Sequence, residues 1–107
     1  MLKIYSNIFM DDDVEIKPTC SKKSLLRYGK KLKYYAICIA TNPENLLDII
    51  RFGELEFNYY KERKMYIIGV ASSKENARYL VADIIQKVYN ESNGFNCREF
   101  FEKEMFR

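Results

Sequence analysis

The chain has 107 residues, 48% apolar and 31% charged, with a formal net charge of +3 and neither histidine nor tryptophan. That length and composition predict one folded domain over 1–107 without a linker, and four glycines and two prolines exclude a collagenous or linker-rich chain. The absence of histidine removes His-based acid–base catalysis, Ser-His-Asp and Cys-His nucleophiles and every metal site that needs imidazole.

At the N-terminus, Leu2, Ile4 and Ile8, then Val14 and Ile16, predict short strands on either side of a turn at 11–13. The opening stretch is too short and too interrupted for a signal peptide. Uninterrupted apolar runs reach about seven residues, against about 20 for a membrane span, so no membrane partner is expected. Asp11, Asp13 and Glu15 match the odd-numbered opening of a calcium loop. Ile16 and Lys22 stand where such a loop needs glycine and glutamate, so an exposed acidic turn is expected rather than a metal site.

The charge is unevenly distributed. Between positions 16 and 35 lie Lys17, Lys22, Lys23, Arg27, Lys30, Lys31 and Lys33, with no Asp or Glu among them and with Tyr28, Tyr34 and Tyr35 interleaved. The other 11 basic and all 15 acidic residues lie outside this segment, a balance of −4. Two readings are open: a solvated basic face, or a surface that attracts a polyanion such as nucleic acid. Lysine outnumbers arginine here by six to one, which argues against base-specific recognition through bidentate arginine. Leu25, Leu26 and Tyr28 could form a short helix or an irregular loop within the segment.

Positions 35–45, YAICIATNPEN, and 66–76, YIIGVASSKEN, match at a 31-residue offset with five identities. Each copy begins with an apolar run, 34–40 and 65–71, rich in Ile and Tyr, which predicts strands covered on both faces. Each then switches to helix-start chemistry, predicting helices near 43–52 and 73–90. Thr41 or Asn42 would cap the first, with Pro43 at its first position, and Gly53 would stop it. Ser72 would cap the second, with Glu75 completing a capping box. Ala77, Leu80, Val81, Ile84, Ile85 and Val88 recur at helical spacing, and Gly94 is placed for a left-handed cap. Between the copies, Leu55, Phe57 and Tyr59 alternate like a strand until Tyr60 breaks the pattern, so 54–64 is either an extra strand or a continued helix.

The favoured fold is a small α/β or α+β domain, with a central βαβ-like core and a C-terminal helix. In that arrangement both strand ends and both helix starts share one sheet edge. Thr41, Asn42, Ser72 and Ser73 would gather there as caps or as an anion site. No Gly-rich phosphate loop accompanies them.

Asn96 and Glu99 suggest a cap for the C-terminal helix. Phe95, Phe100, Phe101, Met105 and Phe106 make a dense apolar set, either docked on the sheet or forming a homodimer face. Three widely spaced cysteines, Cys20, Cys38 and Cys97, predict reduced thiols in a cytoplasmic protein rather than a disulfide framework. No catalytic constellation and no cofactor motif is present. The sequence therefore points first to a non-catalytic interaction or regulatory module, homodimeric or bound to another protein. A weak, sequence-independent nucleic-acid binder using 17–33 comes second, and an enzyme last.

Overall fold

A computed structural model describes residues 2–42, 44–101 and 105–107. The two apolar runs of the near-repeat form strands β2 (Tyr35–Ile39) and β4 (Met65–Ala71), which lie side by side. They run antiparallel, with Tyr35 opposite Ala71. On its other edge β4 pairs in parallel with β1 (Leu2–Met10), and β2 pairs in antiparallel with β3 (Leu47–Arg51). The sheet is thus mixed, four-stranded and ordered β1-β4-β2-β3. The helices are α1 (Lys22–Lys31), α2 (Asn58–Lys61), α3 (Lys74–Ser92) and α4 (Cys97–Phe100), and a 3-10 turn occupies Phe52–Glu56. This is a single α+β domain, with helical elements on both faces of the sheet.

Each face has its own core. On one side Ile4, Ile8, Ala36, Cys38, Ile50, Met65, Ile67 and Val70 meet Leu25 of α1 together with Phe52 and Leu55. On the other Tyr5, Ile37, Ile68 and Ala71 meet Ala77, Leu80, Ile84 and Val88 of α3, with Cys97 and Phe101. Strict alternation along β4 would send Ile68 and Val70 to the same face, but they enter different cores. The register explains this: Cys38 pairs with Ile67 while Ile37 pairs with Gly69, so β4 carries one extra residue. Gly69 sits at the slip, where an added Cβ would lie 3.4 Å from the Ile37 side chain and from the Phe9 carbonyl oxygen. Strand β1 bulges more strongly, taking five steps from Ile4 to Phe9 where β4 takes two, and Ser6 and Asn7 turn out to solvent.

The expected βαβ unit does not form, because the stretch after the first copy is a strand rather than a helix near 43–52. Asn42 builds a turn instead of a cap: its side-chain oxygen accepts from Glu44 N at 2.9 Å, and its carbonyl accepts from Asn45 N at 3.1 Å. Only a few residues then separate that turn from Gly53, too few for an independent helix. They alternate, with Asp48 and Ile50 on one face and Leu47 and Ile49 on the other, and satisfy the free edge of β2. Pro43 lies outside the described residues. The segment 54–64 is not a strand. The 3-10 turn and α2 reverse the chain and return it as β4, antiparallel to β2.

The N-terminal strands around 11–13 reduce to β1 alone, and Val14 and Ile16 lie in the following loop as partly buried residues against the core. Helix α3 begins one residue later than expected. Its cap is Ser73, whose side chain accepts from Asn76 N at 3.1 Å, so Glu75 falls in the first turn without closing a capping box on Ser72. It ends on Asn93, which takes the left-handed conformation (φ 58°) expected of Gly94. Asparagine tolerates that region well enough to serve. The expected C-terminal helix is the short α4, capped by Asn96 on Glu99 N.

Helix α1 starts at Ser21, whose side chain accepts from Ser24 N, and buries Leu25 and Gly29. Gly29 is needed for contact: a Cβ there would lie 2.7 Å from ring carbons of the buried Phe52. Alanine would favour the helix by about 1 kcal/mol over glycine, but overpacking against a fixed ring costs about 1–3 kcal/mol. Gly29→Ala is therefore expected to lower the stability measured by urea denaturation. An increase would show that α1 can move away from Phe52 without penalty.

Candidate functional site

The inward face of α1 takes Leu25 and Gly29, so Lys23, Arg27, Lys30 and Lys31 fall on its exposed side at helical spacing. The seven basic residues do not all share one environment. Lys22 folds back, and its ammonium donates to the Leu2 carbonyl at 2.8 Å. Lys30 pairs with Glu56 at 2.7 Å, which holds the Glu56 carboxyl below its usual range through the hydrogen bond and the charge of Lys30. Lys17, Lys23, Arg27, Lys31 and Lys33 are exposed and have no carboxylate in ion-pair contact among the described residues. Lys33 comes just after the helix with φ 58°. There its N–H donates to the Lys30 carbonyl, and the next residue, Tyr34, donates to the Gly29 carbonyl.

The nearby acidic residues turn away from this face. Asp11 accepts from the Ser72 backbone N–H at 2.7 Å, and the Ser72 hydroxyl lies 3.0 and 3.1 Å from its two carboxylate oxygens. Asn76 donates to Asp13 at 3.2 Å and to the Ser72 hydroxyl at 3.0 Å. The position expected to hold an anion at the start of α3 is thus filled by a carboxylate of the chain itself, a favourable place for negative charge beside a helix N-terminus. Glu15 stays on the basic side. Its backbone N–H donates to the buried Tyr34 hydroxyl at 3.1 Å, which ties the 11–20 loop to the sheet.

Thr41 and Asn42 are not brought to Ser72 and Ser73. Antiparallel pairing sets the end of β2 at the start of β4, so the two pairs lie at opposite ends of these strands. Thr41 N donates to Asp48 at 3.2 Å, and Arg98 clamps the loop by donating to the carbonyls of Ala40 and Asn42.

The C-terminal aromatics divide. Phe101 is buried, edge-on to Tyr5 at 5.1 Å and to Phe9 at 6.3 Å. Phe106 is half-buried between Tyr5 and Tyr66. Its segment pairs with β1: Arg107 N donates to the Ile4 carbonyl at 2.8 Å, and Ile4 N donates to the Arg107 carbonyl at 2.9 Å. Phe100 is half-buried against Phe101, whereas Met105 is exposed and Phe95 is exposed and stacked on Tyr89 at 4.9 Å. The docked arrangement accounts for Phe101, Phe106 and much of Phe100.

The three thiols are free. Burial drives the Cys38 thiol far above its ordinary value, with the Asp48 charge adding to it, and burial also raises Cys97 against an opposing contribution from Arg98. Both stay protonated and unreactive at neutral pH. Among the described residues no group of three or more Cys, Asp or Glu is placed to hold a metal ion, and no described helix is long and apolar enough to cross a membrane.

Sequence reasoning missed Arg51 and Phe57 as neighbours of the basic segment. Arg51 pairs across the sheet with Tyr35, its guanidinium 6.0 Å from the ring centre, and shares a groove with Lys30, Lys33 and Phe57. The alternation of apolar and charged residues at 47–51 was the available signal, since as a strand beside β2 it brings Arg51 to Tyr35.

These features define a small α+β domain with a four-stranded mixed sheet and a basic helix on one face. Comparison with protein-family models, curated proteins and solved structures finds no significant match to the chain.

The Asp11 tie can be tested separately. Asp11→Ala leaves the half-buried Ser72 N–H and hydroxyl without their acceptor and is expected to cost about 1–3 kcal/mol in denaturation. Replacement of an exposed turn residue with no such role, Asp12→Ala, is expected to change stability by less than about 0.5 kcal/mol. Equal effects would show that Asp11 does not hold the start of α3.

Proposed function

We propose that this chain is a non-catalytic binding module that takes a polyanion on the exposed face of α1. The observation that carries this reading is the separation of charge. Asp11 and Asp13 are hydrogen-bonded at the start of α3, while Lys17, Lys23, Arg27, Lys31 and Lys33 keep no carboxylate in contact among the described residues. Lys33 adds support. A left-handed backbone costs an L-residue about 1–2 kcal/mol, glycine or asparagine would take it more readily, and a lysine held there keeps its charge beside the helix end. Lys30 and Lys31 also complement the helix dipole, which accounts for two of the cations and leaves the rest. The free, deeply buried thiols of Cys38 and Cys97 fit a reducing, cytoplasmic setting.

Binding should be governed by counterion release. Engagement of four or five phosphates on duplex DNA gives a log–log salt slope of about −3.6 to −4.5, with dissociation constants of roughly 10⁻⁴–10⁻⁶ M at physiological salt. Fluorescence anisotropy across a salt series measures both. A variant combining Lys17→Gln, Lys23→Gln, Arg27→Gln and Lys31→Gln should lose most of that slope and keep its thermal transition, because all four side chains are exposed. Absence of binding to duplex and single strand alike at low salt overturns the reading.

A second reading, a homodimer or a complex with another protein, is supported by β3. It is an edge strand with Ile49, Phe57 and Tyr59 around one groove and with Leu46 exposed beside it. A dimer through this edge should appear in sedimentation velocity and dissociate on Ile49→Lys. A monomer at high concentration removes this reading.

A further inference from the structure

Two grooves flank the C-terminal half of α1, and each combines cations with a ring. The first, about 480 Å³, is lined by Ile16, Lys17, Tyr28, Lys31 and Leu32, with Glu15 as its carboxylate. The second, about 500 Å³, is lined by Lys33, Tyr35, Arg51 and Phe57, with Lys30 and with Glu54 as its carboxylate. Lys30 and Lys31 are adjacent in sequence and face different grooves, so the last turn of α1 separates the two. Tyr28 is 40% exposed and Phe57 61% exposed, so neither ring is committed to the core. Arg27 sets its guanidinium 5.7 Å from the centre of the Tyr28 ring.

We propose that the polyanion is a single-stranded nucleic acid, its phosphates following the α1 cations and its bases stacking on Tyr28 in one groove and Phe57 in the other. The inference rests on the polyanion reading above and extends it to a ligand class. Three considerations select a single strand. Bases in a duplex are already stacked on one another, and only unpaired bases offer a face to a side-chain ring. The exposed side of α1 carries one arginine, Arg27, among its lysines, which suits phosphate contact better than the bidentate reading of base edges in a major groove. An acidic polypeptide would satisfy the cations but leave Tyr28 and Phe57 without planar partners. A helix is about 10–12 Å across, so a strand crossing the last turn of α1 spans both grooves within a few nucleotides, at the small end of the roughly 4–16 nucleotides typical of such sites.

The test uses the full chain, with fluorescence anisotropy of a single strand, a duplex of equal length and polyglutamate across a salt series. The single strand is expected to bind more tightly than the duplex, with a slope of about −2.8 to −3.5 for four or five phosphates. Tyr28→Ala and Phe57→Ala should each weaken single-strand binding about fivefold or more while leaving the salt slope and the duplex affinity unchanged. Lys31→Gln should instead flatten the slope by about 0.7. Both rings are exposed, and thermal melts of the variants confirm that the fold is kept. Equal affinity for single strand and duplex, with both ring variants silent, overturns the single-strand inference while the polyanion reading stands. Tighter binding to polyglutamate than to either nucleic acid overturns it in favour of an acidic protein. Failure to bind any of the three overturns the polyanion reading itself.

Discussion

Strand β4 is hydrogen-bonded to β1 on one side and to β2 on the other, and its side chains enter two separate apolar clusters. It has neither a free edge nor a wet face. Burial of an Ile or Val side chain contributes about 1.5–3 kcal/mol, and Ile67, Ile68 and Val70 are all fully buried. The rest of the fold is set by keeping this strand dry. A helix must cover each face, which α1 with the 3-10 turn does on one side and α3 with α4 on the other. The slip at Gly69 lets both faces be filled, because without it Val70 would join Ile68 and leave the α1 side thin.

The same arrangement separates the charges. The parallel pairing of β1 with β4 brings the end of β1 beside the end of β4, where α3 begins. Asp11, just after β1, therefore lies against Ser72, just after β4. That contact satisfies an exposed helix start and takes the nearest carboxylates away from the lysines that come next in the chain. A loop then carries the chain to α1 on the opposite face, with the Tyr34 hydroxyl holding Glu15 in passing. The outcome is a molecule whose acidic turn serves its own architecture and whose basic helix faces solvent.

The C-terminal segment does for β1 what no neighbouring strand does. The backbone pair between Ile4 and Arg107 covers part of the outer edge, and Tyr5, Phe9, Phe101 and Phe106 form a ring cluster over it. Covering an edge in this way limits unwanted pairing with other chains. The opposite edge, β3, has no such cover among the described residues. It carries Asp48 and Arg51, whose charges and contacts with Thr41 and Tyr35 moderate its exposure.

Local chemistry was legible wherever one solution outcompeted its rivals. Periodicity from Ala77 to Val88 identified α3, the apolar runs identified β2 and β4, the spacing of Asn96 and Glu99 identified α4, and the concentration of cations between 16 and 35 identified the basic face. The near-repeat misled because its two copies share an opening and differ in the length of chain available after it. Nineteen residues of helix can bury a stripe, whereas the short piece after Asn42 gains more by satisfying the open edge of β2. That choice depends on which backbone groups remain unpaired in the assembled sheet, and no local pattern records it. It also decided that β2 and β4 run antiparallel, that Thr41 and Ser72 sit at opposite ends, and that Arg51 reaches Tyr35. The sequence by itself determined the helices and strands with long or strongly apolar patterns, the single domain and the sign of its basic segment. Only the tertiary structure decided strand direction, the partner of Asp11 and the cations left unpaired, because each depends on contacts between residues far apart in the chain.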